Sequence, residues 1–399
     1  VKTRIPLDGK AKIMAILISF TVISCSDGNQ APSGGNQSSQ TRLSLIDNVM
    51  ELAEDSTERR FENIADAYVM LVYKDSILIV SNKNPQHGAP LISLYDINGR
   101  MHHVADYIPR GSSTNEMTAC RIHIAGDELF VSDSYHTGRY CSIPLRNPLI
   151  PSDKLRLSAS GVNERGVAIT PFRDGLLVEN PQCYSNDKAG IHNDVPRLLH
   201  YRNRRCLNPH GPVSFQVADV NTGADIHYNE SHKRICFVSH RQPLVEFYDD
   251  SLQLVHSIKL QSESLQKINI ESTQTKADKC PSRDIGYGNV TIEKTRRVVG
   301  AGSQLHAFLC SSSDEEHVYL AYCGRLFSHA YHTYPTYILV LDWNGNLVST
   351  YHYGRWIQAI SPSSKTGTFY LTVYADENQD SARMKLVKVT TEISEETEI

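Results

Sequence analysis

Strong charge of either sign is missing from this sequence. Its 399 residues hold 40 Lys plus Arg against 44 Asp plus Glu, a formal net charge of −4. Nucleic-acid binding asks for a basic surface, so no nucleic-acid partner is expected. Tryptophan is scarce, with two residues in the chain. Long amphipathic helical patterns are nearly absent; Leu43 to Glu62 is the one moderate helix candidate, and it suits equally well a lead-in segment packed on the rest. CxxC does not occur, which removes the usual signature of a zinc or thioredoxin-like site. HExxH and G-x-S-x-G are missing too, and with them the zincin helix and the α/β-hydrolase elbow. "VVGAGSQLH" (Val298 to His306) lacks the third glycine of a dinucleotide loop and has no βαβ pattern around it. These absences leave no cofactor and no metal to expect.

What is present is the β-hairpin, repeated. "YILVLDWNGNLVSTY" (Tyr337 to Tyr351) holds two apolar β-favouring runs around Asn344-Gly345. That dipeptide is the strongest short hairpin signal, because tight hairpin turns need positive φ. "LISLYDINGRMHHV" (Leu91 to Val104) and "VEFYDDSLQLVHSI" (Val245 to Ile258) repeat the order, with Asp96 and Asp249 standing where Asp342 stands and Ser replacing the glycine in the second. A further strand pair precedes each. Such inner pairs turn at Lys74-Asp75-Ser76, Gly126-Asp127, Arg173-Asp174-Gly175, Ser231-His232-Lys233, Ser311 to Glu315 and Ser363 to Gly367. Weaker outer pairs are read at Arg139 to Leu149, Arg197 to Cys206 and Arg383 to Val389. The spacing suits units of roughly 50 residues, the size of a four-stranded propeller blade. Six units is the natural count, with five or seven as the structural alternatives. Ser262 to Gln304 fits no unit cleanly and reads as an outer strand plus an insertion.

The N-terminus has a different character. Lys2, Arg4, Lys10 and Lys12 precede the apolar run "IMAILISFTVIS" (Ile13 to Ser24), which falls short of the roughly 20 residues of a spanning helix. A charged segment followed by a short apolar one has the layout of a secretory signal. The run ends in "VISC", and Cys25 stands where a bacterial lipobox places its lipidated cysteine. "SDGNQAPSGGNQSSQ" then reads as a flexible tether. The expected organisation is a lipoprotein signal peptide over 1–24, a lipidated Cys and tether over 25–42, an all-β ring over 43–392 with an insertion at 262–304, and an acidic tail over 393–399. Cys120, Cys141, Cys183, Cys206, Cys236, Cys280, Cys310 and Cys323 remain once Cys25 is set aside. An even set in an exported chain allows disulfides. Several sit inside inner-strand patterns, where Cys serves as a small buried hydrophobe. Free thiols are therefore expected, with Cys183 and Cys206 as the one candidate pair.

Lipobox, tether and strand repeats together resemble the six-bladed, TolB-like β-propeller lipoproteins of Bacteroides and its relatives. "YIPRGSSTNEM" (Tyr107 to Met117) resembles the G-x-G-P-x-E turn of that family; Gly111 and Glu116 are kept, while Ser and Thr-Asn replace the inner Gly-Pro. "VYLAYCGRLF" followed by "ILVLDWNGNLVSTY" resembles its late blade. The resemblance spans about Ala67 to Val389. It implies a six-bladed propeller of four-stranded antiparallel blades, held to the bacterial outer membrane by a lipid anchor. It implies no reaction.

In a propeller the loops after each second strand share one face near the central channel. Here they carry the polar and aromatic residues suited to stack on a ligand and hydrogen-bond it. The residues nominated from them are Asn82, Tyr135, Arg139, Tyr184, His240, Arg241, Arg325 and Tyr374. The 17 histidines show no metal-binding spacing; His329 and His332 lie on a loop, and His102 and His103 alternate across a strand. The reading is a non-catalytic scaffold in the cell envelope that binds a glycan, a peptide or an envelope protein. The alternative is a hydrolase or lyase whose site is assembled from several blades, with His240 and Arg241 converging on acids such as Asp133 or Asp376.

Overall fold

A computed structural model describes residues 39–41, 49–55, 67–82, 85–98, 101–133, 138–146, 149–162, 168–180, 196–208, 223–240, 243–260, 291–292, 297–298, 305–326, 335–374 and 384–391. Residues 38–399 form one compact unit; residues 1–37, the other unit, lie outside the described residues. The expected signal segment and Cys25 are therefore outside them as well.

Nearly all of the described chain is β-strand, in antiparallel groups that follow the sequence. After β1 (Ser39–Thr41) and β2 (Val49–Glu54), the first sheet is β3 (Ala67–Tyr73), β4 (Ile77–Asn82), β5 (Pro90–Asp96) and β6 (His102–Pro109). The second is β7 (Arg121–Ala125), β8 (Glu128–Asp133), β9 (Arg139–Pro144) and β10 (Ser158–Ala159), with a 3-10 turn at Ser152–Lys154. The third is β11 (Ile169–Phe172), β12 (Gly175–Glu179), β13 (Leu198–Arg202) and β14 (Arg205–Cys206). The fourth is β15 (Ala224–Asn229), β16 (Arg234–Ser239), β17 (Leu244–Asp249) and β18 (Leu254–Lys259), against which β1 lies parallel. A small pair, β19 (Thr291–Ile292) and β20 (Arg297–Val298), stands in the expected insertion. The fifth group is β21 (Leu305–Ser313), β22 (His317–Leu326), β23 (Thr336–Asp342) and β24 (Leu347–Tyr353). The last is β25 (Ala359–Pro362), β26 (Thr368–Tyr374) and β27 (Met384–Thr391). The fourth strand of this last group is β2, antiparallel to β27 and at the same time parallel to β24, which fuses the last two groups into one eight-stranded sheet.

Two readings of the sequence change here. The helical pattern over Leu43 to Glu62 yields the strand β2, because the unpaired edges of β24 and β27 offer backbone partners that outweigh local propensity. Arg383 to Val389 is no hairpin but the single strand β27, whose outer partner comes from the N-terminal side of the chain.

The recurring aspartate of the repeat has a plain physical role. Asp342 Oδ1 accepts from the backbone N–H of Asn344 at 2.9 Å and Asn346 at 2.8 Å. Asp249 Oδ1 accepts in the same way from Ser251 and Gln253, and Asp96 from Asn98. Each aspartate thus holds its own turn closed. Gly345 has φ +86°, and the equivalent residue of the fourth sheet is Leu252 rather than Ser251, at φ 63°. A leucine in the left-handed region costs about 1–2 kcal/mol, which the packing of Leu252 against the core between the third and fourth sheets offsets.

The core is divided among the seams between sheets. One cluster joins the first and second sheets (Leu94, Tyr107 with Leu129, Ile143) and another the second and third (Phe130 with Val178). Others join the third and fourth (Leu177 with Phe237), the fourth and fifth (Phe247 with Trp343), and the fifth and last (Tyr351 with Phe369). A final cluster joins the last group back to the first, where Leu386 and Tyr370 meet Met70 and Val80. Each of these six groups therefore buries both faces against its neighbours, in a propeller-like all-β arrangement. Cys206 carries a free thiol, as do Cys120, Cys141, Cys236, Cys310 and Cys323; Cys183 and Cys280 lie outside the described residues.

Leu52 of β2 is buried in the seam between the last two groups. Leu52→Ala is expected to lower the unfolding free energy by about 2–3 kcal/mol, in the range of large-to-small core changes. Urea unfolding of the two proteins checks this.

Candidate functional site

The first strand of each group runs along a common centre, and together these strands enclose a cavity of about 610 Å³. Its wall includes Tyr68 and Leu71 of β3, Arg121 to Ile124 of β7, Ile169 of β11, Asp225 to His227 of β15, Leu309 to Ser312 of β21, and Ala359 and Ile360 of β25. Successive side chains of a strand face opposite ways, so an inner strand presents alternate residues toward its neighbours. That geometry brings Arg121 and His123 of "RIHIA", and Asp225 and His227 of "ADIHYN", to the centre.

A polar network links the fourth and fifth sheets there. Ser311 donates its hydroxyl to Asp225 Oδ2 at 2.8 Å and its backbone N–H to the same oxygen at 3.0 Å. His227 Nε2 lies 2.7 Å from Ser311 Oγ, and Ser313 Oγ lies 3.2 Å from His227 Nδ1. A hydroxyl has one proton. Since that of Ser311 goes to Asp225, His227 Nε2 must be the donor to Ser311 Oγ, and its Nδ1 accepts from Ser313. The tautomer follows from the network. His240 Nε2 stands 3.2 Å from Asp225 Oδ2, in ion-pair range but off the line a hydrogen bond needs. Burial alone would raise the Asp225 carboxyl, yet His240, His227 and Ser311 hold it well below the usual carboxylate range.

Across the cavity, His123 Nε2 meets Thr170 Oγ1 at 2.9 Å, tying the second sheet to the third. Burial, reinforced by His227, pushes the His123 imidazole down to about 3, and burial likewise depresses His227. Both are neutral hydrogen-bonding groups at ordinary pH. The cavity thiols are inert for the same reason: burial pushes Cys120 up to about 12 and raises Cys310 well above its ordinary value. Among the described residues no cluster of three or more His, Cys, Asp or Glu is placed to hold a metal ion.

Of the nominated residues, Asn82 and His240 line the cavity. Asn82 Nδ2 donates to Pro90 O at 2.9 Å and to Ser93 Oγ at 3.2 Å, closing the ends of its loop. Arg139 is committed elsewhere. Its guanidinium donates to the carbonyls of Ser112, Ser113 and Glu116, with the last at 2.7 Å. It clasps the turn that Gly111 and Glu116 define. Glu116 Oε2 accepts from Ser113 N at 2.8 Å, and a Cβ on Gly111 would lie 2.0 Å from that oxygen, so a side chain there would displace the Glu116 carboxylate from its turn. Tyr374 is half-buried against the seam of the last and first sheets. Arg325 lies on β22, its backbone paired with His306. Tyr135, Tyr184, Arg241 and Cys25 lie outside the described residues. Asp133 is fully buried and accepts from the backbone and hydroxyl of Thr118 at 2.9 and 3.1 Å. Asp376 lies outside the described residues.

Sequence reasoning missed Arg121, His123, Asp225, His227 and Ser311. The usable signal was polar residues at every second position of an inner strand, where an apolar face would otherwise be read.

No protein-family model and no curated protein matches the chain. Solved structures do. A member of the DUF4221 family from Bacteroides vulgatus is 9% identical, with 87% of this chain and 97% of that chain covered and a TM-score of 0.46. A Bacteroides fragilis protein named as exported is 12% identical, covering 88% and 99%, with a TM-score of 0.46. An auxiliary nutrient binding protein from Bacteroides thetaiotaomicron is 11% identical, covering 82% and 70%, with a TM-score of 0.40.

His123 binds a proton near 6.5 when unfolded and only near 3 when folded. In that window the unfolded chain holds more protons, so the stability contribution is full above the unfolded value and is lost as pH falls through the window. The loss is at most about 1.4 kcal/mol per pH unit. His123→Gln is expected to flatten the fall in melting temperature between pH 7 and pH 4.5, checked by thermal unfolding at both.

Proposed function

We propose that this chain is a six-bladed β-propeller, anchored by lipid to the bacterial outer membrane, that binds a small ligand in its central cavity without transforming it. The blade count is supported by the sheet order: five four-stranded groups and a last one of β25 to β27 completed by β2. The anchor rests on the sequence alone, through the charged and apolar N-terminal segment ending at Cys25.

The observation that carries the binding reading is the cavity itself. Each of the six groups contributes its first strand to one space of about 610 Å³, within the range of small-molecule sites. Its mixed wall of aliphatic, aromatic and polar groups suits recognition. The proton inventory argues for binding over hydrolysis at the Ser311–His227 pair. An activated serine needs an imidazole that accepts its proton, whereas here the imidazole donates and the proton belongs to Asp225.

Two measurements test this. Palmitate labelling is expected in the wild type and not in Cys25→Ala; equal labelling removes the anchor. For the cavity, the full chain is screened by thermal shift against pooled sugars, amino acids and peptides, beside Ala119→Trp, which fills space at the cavity wall. A ligand that raises the wild-type melting temperature and leaves Ala119→Trp unmoved is expected. A ligand that stabilises both proteins equally places binding elsewhere and refutes the cavity.

A further inference from the structure

The spare capacity of the cavity wall narrows the binding reading, on which it rests, to one class of ligand. Among the described lining residues, the Asp, Glu, Lys and Arg side chains are Arg121 and Asp225. Arg121 is already engaged with a partner, so a ligand finds no counter-cation in it. Asp225 is used on one side only. Its contacts all gather on Oδ2: the backbone N–H of Ser311 at 3.0 Å, the hydroxyl of Ser311 at 2.8 Å, and His240 Nε2 at 3.2 Å. Oδ1 takes none of them. It is not a sealed atom either, and the side chain keeps 30% of its surface exposed where it lines the cavity.

Two bonds from one residue, Ser311, hold Oδ2 against β21 and so fix which oxygen is left for the space. Burial opposes the charge, yet His240, His227 and Ser311 keep the group ionised. An ionised oxygen standing in a cavity attracts a charge-assisted donor, and an ammonium is the strongest small one. His123 and His227, both kept neutral by burial, add no competing cation. The wall also suits an apolar body, through Val69, Ile122, Ile124 and Leu309, all of them only partly buried. Other classes fit less well. A zwitterion or a carboxylate would bring an anion to a wall whose one cation is taken. A neutral sugar would set hydroxyls against the aliphatic surface and give Oδ1 a weaker donor. A metal ion asks for several ligands, and no cluster of three His, Cys, Asp or Glu stands among the described residues.

We propose that the cavity takes a small primary amine with an apolar body, its ammonium donating to Asp225 Oδ1 and its hydrocarbon lying on the aliphatic wall. Asp225 is the recognising group, and Ser311 is the positioning residue that aims it.

The full chain is titrated by calorimetry with n-hexylamine, 1-hexanol and hexanoate at neutral pH, where an alkyl ammonium is charged. The amine is expected to saturate a single site and to bind at least about tenfold more tightly than the alcohol or the acid, the effect of one charge-assisted contact. In Asp225→Asn that preference should vanish, because the amide keeps an acceptor for Ser311 and loses the charge. A smaller preference on the parent protein, tighter binding of hexanoate, or no binding of the amine would each overturn the proposal. So would an Asp225→Asn protein that holds the amine as tightly as the parent does. Should Asp225→Asn fail to fold, the comparison of the three ligands on the parent protein decides alone. Ala119→Trp separates this proposal from the reading beneath it. An amine bound equally by Ala119→Trp and the parent sits outside the cavity, which refutes the Asp225 contact. If the amine fails while another ligand of the screen is still lost in Ala119→Trp, the amine falls and the cavity stands.

Discussion

The whole arrangement depends on burying both faces of every sheet against other sheets. A four-stranded antiparallel sheet with two apolar faces is insoluble alone, and a linear stack would leave its end faces bare. This chain avoids ends, because the cluster around Met70, Val80 and Leu386 packs the last group on the first. The closure is also made in backbone. β2, from the N-terminal side, supplies the outer strand that the last group lacks, and it pairs with β24 on its other edge. Hydrophobic burial sets the order of the sheets, and hydrogen bonding of β2 fastens first to last.

Closure creates a second requirement at the centre. Inner strands of neighbouring sheets approach one another without forming a ladder, so their inward backbone groups need other partners. Side chains provide them. Thr372 both accepts from Met70 N at 3.1 Å and donates to Met70 O at 2.6 Å, and Ser361 accepts from Val72 N at 2.9 Å. Asp225 accepts from Ser311 N in the same manner. His123 and Thr170 add a side-chain tie between the second and third sheets. One further seam is stitched away from the cavity wall by an ion pair between Arg197 and Glu246 at 2.8 Å, both fully buried, with Tyr248 donating to Glu246 and Phe237 lying under the guanidinium. Breaking one partner of such a pair strands a charge in the core, so it binds sheet to sheet more specifically than apolar packing does.

How much of this is readable in the residues varies by element. The hairpins were legible because turn chemistry is local: Asp96, Asp249 and Asp342 at the entrances of outer turns, and a residue at positive φ such as Lys74, Arg173 or Gly126 in inner ones. The all-β class and the antiparallel groups follow from that alone. β2 was not legible, since its strand character belongs to the two edges it meets and not to its own sequence. The candidate site was legible in part. Asn82 and His240 were reachable from the idea of a loop face, but Arg139 serves a turn and Tyr374 a seam. The polar residues of the inner strands stayed hidden because which sheet neighbours which is a long-range fact, and Asp225 meets Ser311 across a large gap in sequence.

The polarity of the cavity therefore has two origins that must be separated before function is read from it. His123, His227 and Ser311 are polar because the joints between sheets demand it, and their hydrogen bonds are spent on Thr170, on one another, on Ser313 and on Asp225. A residue of this kind lines the space without recognising anything in it. Recognition falls to groups with capacity left over: the second oxygen of Asp225, and the amide oxygen of Asn82, whose nitrogen is already used on Pro90 and Ser93. By this reasoning the abundance of polar groups in a propeller centre says little about its ligand, and the few with unused valence say most of what the centre can select.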